Sequence, residues 1–301
     1  MPDADQLIAA VTGGMLPRHA EVRAGALRLH CLIWGRDETP TVLLVHGNGG
    51  HAHWWDPLVP YFAADFRLVA PDLRGHGASD WPADAAYGIG DFAADLRAVA
   101  DQLAPGRSAV VAHSMGARAA AWFADRNPER VCGLALLDTS LGGVDAATAQ
   151  RWRGRVVGQR KGRGYSSYDD AVAAFRFVPP ERNVAPAIIA DLAHHAVVER
   201  HPGAWTFGFD RAVLSLAGDG AGNITGLVAA LPCPLWIGRG AGSFLTPRPD
   251  LDILRARRPD VEWHDFAGSH HFFLSDPAAA AAALLPFLAR TCGTPTEKNH
   301  R

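Results

Sequence analysis

The sequence predicts an α/β fold: a mostly parallel sheet with helices on both faces, interrupted by a helical insertion. Three observations carry this expectation. Short apolar runs alternate with helical stretches from residue 21 to residue 140, the alternation lapses over residues 141–231, and it resumes from residue 232. Strands covered on both faces read as continuous apolar runs, which is how these segments read. The core is therefore assigned to residues 1–140 and 232–292, the helical insertion to 141–231, and a flexible polar tail to 293–301.

Composition agrees with a sizeable core. Of 301 residues, 48% are hydrophobic and 20% charged, a globular balance. With 29 basic against 31 acidic side chains the net charge is −2, so nucleic acid is not an expected partner. No apolar run approaches the roughly 18–20 residues of a bilayer span. The start, MPDADQLIAAVTGG, has two acids and no basic stretch, so no secretory signal is expected. Cys31, Cys132, Cys233 and Cys292 form no CxxC pair and are expected to be free thiols in a reducing, cytoplasmic compartment.

Taken in order, residues 21–34 (EVRAGALRLHCLIW) read as a hairpin turning at Gly25. TVLLVHG (41–47) is a strand that runs into Asn48-Gly49-Gly50. A helix is expected over 57–64, then a strand in FRLVAPD (66–72). Residues 91–104 carry Phe92, Leu96, Val99 and Leu103 at near-helical spacing. SAVVAHS (108–114) is a buried strand that breaks into the helix MGARAAAWFADR, and RVCGLALLD (130–138) is the next strand. After the insertion come strands in PCPLWIG (232–238) and VEWHDF (261–266), then a helix over 276–290. Its six alanines (278–283) are good helix formers and need no functional reading.

The chemistry concentrates at Ala112-His113-Ser114-Met115-Gly116, between a strand and a helix. This is G-x-S-x-G with Ala for the first Gly. A tight strand-to-helix turn lifts the Ser hydroxyl above the sheet, and small residues two before and two after let it close. An oxyanion needs two backbone donors beside the nucleophile. The N–H groups of Met115 and Asn48 are the candidates, because glycines around Asn48 let the backbone approach a ligand. A hydroxyl also needs a base, and His270 and His271 are adjacent near the C-terminus.

Other features read more plainly. Asp72, Arg74 and His76 are expected to scaffold a loop. His46, His51 and His53 share a loop with Trp54 and Trp55 but have no carboxylate or Cys at ligand spacing, so no metal site is expected. The basic run from Arg151 to Arg163 reads as a solvated face. Trp152, Tyr165, Phe175, Phe177, Trp205 and Phe207 are expected to form the insertion's core, with some facing a pocket that His113, Trp54, Trp152, Trp205 and His271 line.

The chain resembles α/β-hydrolase fold proteins that carry a cap. His46-Gly47-Asn48-Gly49-Gly50, Asp72-Leu73-Arg74-Gly75-His76-Gly77-Ala78-Ser79, His113-Ser114-Met115-Gly116 and His270-His271-Phe272-Phe273-Leu274-Ser275-Asp276-Pro277 match in order, over roughly residues 20–290. The resemblance implies an eight-stranded sheet and a catalytic triad. A Pro commonly falls seven residues after the family's catalytic His. Pro277 is seven after His270, which favours His270 over His271. The usual acid position after the first strand past the cap holds Ser243. Some capped members instead carry the acid about 24 residues after the nucleophile, and Asp138 is 24 after Ser114. Asp138 is therefore the expected acid, with Asp250 and Asp252 as fallbacks.

The resemblance implies a cofactor-independent serine hydrolase acting on a small-molecule carboxylic ester with an apolar portion, lactones included. Carbon–carbon bond hydrolases, thioesterases and amidases share the triad, and a non-catalytic ligand-binding homologue is the alternative from another class. Epoxide hydrolases and haloalkane dehalogenases need a carboxylate nucleophile, which Ser114 is not.

Overall fold

The computed structural model describes residues 3–143, 164–217 and 222–293. Ten strands are found among them: β1 (Arg18–Ala24), β2 (Leu27–Trp34), β3 (Thr41–Val45), β4 (Arg67–Pro71), β5 (Ser108–His113), β6 (Val131–Leu137), β7 (Val197–His201), β8 (Ala204–Phe207), β9 (Leu235–Gly240) and β10 (Glu262–Phe266). Eight form one sheet in the order β1-β2-β4-β3-β5-β6-β9-β10. The β1–β2 and β2–β4 pairs are antiparallel and the remaining pairs parallel.

Strands β3, β5 and β6 are buried along their whole length, as their unbroken apolar runs require. Successive side chains point to opposite faces. Leu43, Val45, Val110, Ala112, Leu134, Leu136 and Ile237 face one core, shared with helices Ile89–Leu103 and Ser114–Arg126. Their sequence neighbours Val42, Leu44, Ala109, Val111, Ala135, Leu137 and Trp236 face the other, shared with helix Pro277–Cys292. The four cysteines are free.

Three elements differ from expectation. The helix expected over 57–64 is a 3-10 turn, Ala52–Leu58, followed by one α-turn, Val59–Phe62; Pro57 and Pro60 deny the N–H groups a longer helix needs. The insertion between β6 and β9 is not wholly helical. Besides helices Tyr168–Ala173 and Pro186–Ala196 it holds the antiparallel ribbon β7–β8. Val197 and Val198 favour extended backbone, and Gly203 turns the ribbon at φ 73°. An N-terminal helix, Ala4–Thr12, packs against the insertion helix Pro186–Ala196; Asp3 caps its start and Gly13, at φ 65°, its end. The basic run Arg151–Arg163 and the tail beyond Gly293 lie outside the described residues.

The loop after β4 is scaffolding, as read from the sequence. Buried Asp72 accepts from the N–H groups of Ala52 (2.7 Å) and Ala78 (3.0 Å) and pairs with His30 Nδ1 (2.8 Å). Arg74 grips buried Asp95 through two bonds of 2.6 and 2.7 Å. Burial works to raise the Asp72 pKa, but the His30 hydrogen bond and charge, His46 and the Ala52 N–H outweigh it and hold the carboxyl below the usual range. A depressed folded pKa contributes stability above the unfolded value of about 3.9, and that contribution is lost as pH falls toward the folded value. Asp72→Asn is therefore expected to flatten the acid limb of stability against pH. Urea denaturation across that range checks this, and an unchanged pH dependence refutes it.

Candidate active site

Four strand ends, those of β3, β5, β6 and β9, meet at the C-terminal edge of the parallel sheet, where ligands of open α/β sheets bind. At the end of β5 the chain turns at once into helix Ser114–Arg126. Ser114 takes φ 55°, a left-handed conformation that L-residues other than Gly rarely adopt. The turn closes because residue 116 is glycine: a Cβ there would stand 2.3 Å from the His46 carbonyl oxygen. Ala112, at the motif's first position, is wholly buried in the core, where a methyl group fits.

That close approach presses the loop after β3 against Ser114. Two neutral imidazoles hold the loop. His46 accepts the Leu73 N–H at Nε2 (3.0 Å), which leaves Nδ1 to donate to the Gly47 carbonyl (2.8 Å). His76 accepts the Gly49 N–H at Nε2 (3.1 Å) and donates from Nδ1 to the Arg74 carbonyl (2.9 Å). Burial lowers both pKa values, that of His76 to about 3. Within the loop, Asn48 donates its N–H to no main-chain carbonyl among the described residues. Met115 is second in its helix, where the first-turn N–H groups have no intrahelical acceptor.

His270 Nε2 lies 3.0 Å from Ser114 Oγ, and His270 Nδ1 lies 2.7 Å from Asp138 Oδ2. Asp138 follows β6 directly, at φ 44°, and is fully buried. Its carboxylate also accepts the Gly240 N–H (3.1 Å) and the Ser243 hydroxyl (2.5 Å). Ser243, at the position where the resemblance more often puts an acid, is thus a donor to Asp138. The fallback residues lie elsewhere: Asp250 accepts the Gly142 N–H (3.1 Å) and Asp252 is exposed.

Of the residues expected to line a pocket, His113 and His271 are only 1% and 2% exposed, so they support the site from behind. His113 Nε2 donates to the His270 carbonyl (2.9 Å), and burial holds both imidazoles well below the usual pKa. Trp54 packs between His271 (5.0 Å between centroids) and Phe177 (6.0 Å). Trp205 is not brought to this cluster; it packs on Tyr168 (5.4 Å) within the insertion. Trp152 lies outside the described residues.

Two groups bring potential metal ligands together among the described residues. His113, His270 and His271 include the Ser114 partner itself. His53, Asp191 and His195 join the core to the insertion, but the two rings stack at 3.5 Å and 18°. Their in-plane lone pairs run in separate parallel planes and cannot converge on one ion.

A serine held at positive φ at a strand-to-helix turn, with a histidine and a buried carboxylate in line, on this sheet order, is the arrangement of the α/β-hydrolase fold. The family model described as alpha/beta hydrolase fold matches residues 40–163. A Mycobacterium tuberculosis protein named esterase Rv0045c is 29% identical over 274 residues, 90% of this chain and 89% of that one. Its solved structure superposes with a TM-score of 0.72 at 25% identity, covering 95% of this chain and 99% of that one. A solved E-2-(acetamidomethylene)succinate hydrolase superposes at TM-score 0.79 and 23% identity, covering 90% of this chain and 99% of that one. At that identity the likeness speaks for the fold alone. No helix among the described residues is long and apolar enough to cross a membrane.

Hydrogen bonds to a charged group contribute about 1.5–3 kcal/mol. Ser243→Ala, which leaves buried Asp138 one donor short, is expected to cost that much stability in chemical denaturation. A loss below about 0.5 kcal/mol, the ordinary surface range, would show that the hydroxyl does not hold the acid.

Proposed function

We propose that this protein is a serine hydrolase that cleaves a carboxylic ester, lactones included, through an acyl-enzyme on Ser114. One observation carries the reading: the unbroken line from Ser114 Oγ through His270 to Asp138, at 3.0 and 2.7 Å. In this mechanism His270 Nε2 takes the Ser114 proton as Oγ attacks the carbonyl. Asp138 holds Nδ1–H and stabilises the imidazolium that forms. The N–H groups of Asn48 and Met115 stabilise the tetrahedral oxyanion. His270 then protonates the leaving alcohol and activates the water that releases the acid. The reaction needs no cofactor.

The insertion acts as the cap. A cavity of about 610 Å³, lined by the apolar Phe175, Phe177, Ile189 and Phe207 with Arg176 and Glu181 at its wall, adjoins the His270 loop through Glu181 and has room for an acyl or ring group. The ester choice is supported by the esterase name of the Mycobacterium tuberculosis relative. Free thiols at all four cysteines fit a reducing, cytoplasmic setting.

A fluorophosphonate probe is expected to label the wild type and not Ser114→Ala. On a p-nitrophenyl ester series, Asp138→Asn is expected to lower kcat by about 10⁴-fold, because the imidazole loses the partner that sets its tautomer. Folded wild type that neither labels nor turns over any ester in the series would sink the proposal in favour of a ligand-binding homologue. Labelling without ester turnover would move the substrate to a thioester, an amide or a carbon–carbon bond.

A further inference from the structure

His270 sits on a short irregular loop between β10 and helix Phe272–Ser275. Groups of both the insertion and the core hold this loop; from the core, the Gly242 N–H donates to the Gly268 carbonyl (2.9 Å). Glu181 accepts the Ser269 N–H at both carboxylate oxygens (3.0 and 3.1 Å) and the His271 N–H at Oε2 (2.8 Å). One carboxylate thus clamps the main chain immediately before and immediately after His270. A further contact comes from the same segment: the Phe177 ring packs on the His271 imidazole at 5.4 Å. On the core side, His113 holds the His270 carbonyl.

We propose that Glu181 is a positioning residue for His270. Its carboxylate fixes the loop so that the imidazole spans Asp138 and Ser114, and seating the insertion thereby completes the triad. The inference rests on the serine-hydrolase reading for its kinetic consequence, but not for its structural one. The physical reasoning is geometric. The imidazole must place its two nitrogens on two partners at once, at 2.7 and 3.0 Å, and its position follows its Cα. Charge-assisted bonds to N–H groups on either side of that Cα are the strong kind and leave it little freedom. Displacement of a catalytic group by about 1 Å costs on the order of 100-fold in rate. The bonds of Glu181 to this loop go to main-chain N–H groups, so it acts through the loop.

The test pairs two variants. Glu181→Asp keeps the charge but shortens the reach by a methylene; Glu181→Gln keeps an acceptor oxygen at full reach. With p-nitrophenyl butyrate, Glu181→Asp is expected to lose about 10- to 100-fold in kcat with little change in KM, and Glu181→Gln, which keeps the reach but not the charge, to lose less. The downfield proton resonance of His270 Nδ1–H, a direct reading of the bond to Asp138, is expected to broaden or vanish in Glu181→Asp and to persist in Glu181→Gln. Thermal unfolding confirms that both variants are folded. Wild-type kcat together with an intact resonance in Glu181→Asp overturns the inference, as does a loss confined to KM, which would make Glu181 a substrate contact. If the wild type turns over no ester, the functional proposal fails, and the proton resonance still decides the role of Glu181.

Discussion

The left-handed turn at Ser114 is the constraint on which the rest of the site depends. A parallel sheet leaves its strand ends pointing the same way, and at one such end a residue has been forced to φ 55°. The conformation is costly for a side chain with a Cβ and persists only where surroundings over-determine it. Here the surroundings are the glycine at 116 lying against the His46 carbonyl and a helix whose Ala117, Ala119, Ala120 and Ala121 pack it into the core. The same close approach that permits the turn delivers the loop after β3 to the hydroxyl's side.

Around this turn the electrostatics are arranged by exclusion. Burial holds His46, His76, His113 and His271 below the usual imidazole pKa, so each serves as a neutral donor or acceptor. His270 differs in having a carboxylate on one nitrogen and a hydroxyl on the other. Asp138 in turn collects bonds from His270, Ser243 and the Gly240 N–H, which is how a fully buried carboxylate is satisfied. The position where the acid more often lies has become part of that support.

The insertion is joined to the core through polar contacts as well as apolar ones. Glu181 reaches the His270 loop, and His51 Nε2 lies 3.1 Å from the Leu192 carbonyl. His53 stacks on His195, and burial together with neighbouring Asp191 pushes the Asp56 carboxyl well up. Such groups must find partners when water is excluded, so they specify how the insertion seats more narrowly than apolar packing does.

Much of this was legible in the sequence, because it is local. The alternation of apolar runs and helices marks a covered parallel sheet. The small residues flanking Ser114, the glycines after His46 and the spacing of Pro277 from His270 are properties of short segments. Asp138 was expected from the resemblance, which puts an acid about 24 residues after the nucleophile, and it lies 2.7 Å from His270. What was not legible depends on contacts between distant segments. Nothing near Glu181 marks it as a partner of residues 269 and 271, and nothing in His113 or His271 shows that they face the core. Trp205 carries no sign that it packs within the insertion on Tyr168. The ribbon β7–β8 was missed because its strands are short and β7 follows a helix directly, although Pro202-Gly203 marks the turn between them. Local pattern selects the fold and the candidate site residues; tertiary packing alone decides which side chains hold those residues in register, since a hydrogen bond across 88 or 90 residues leaves no periodic trace in the chain.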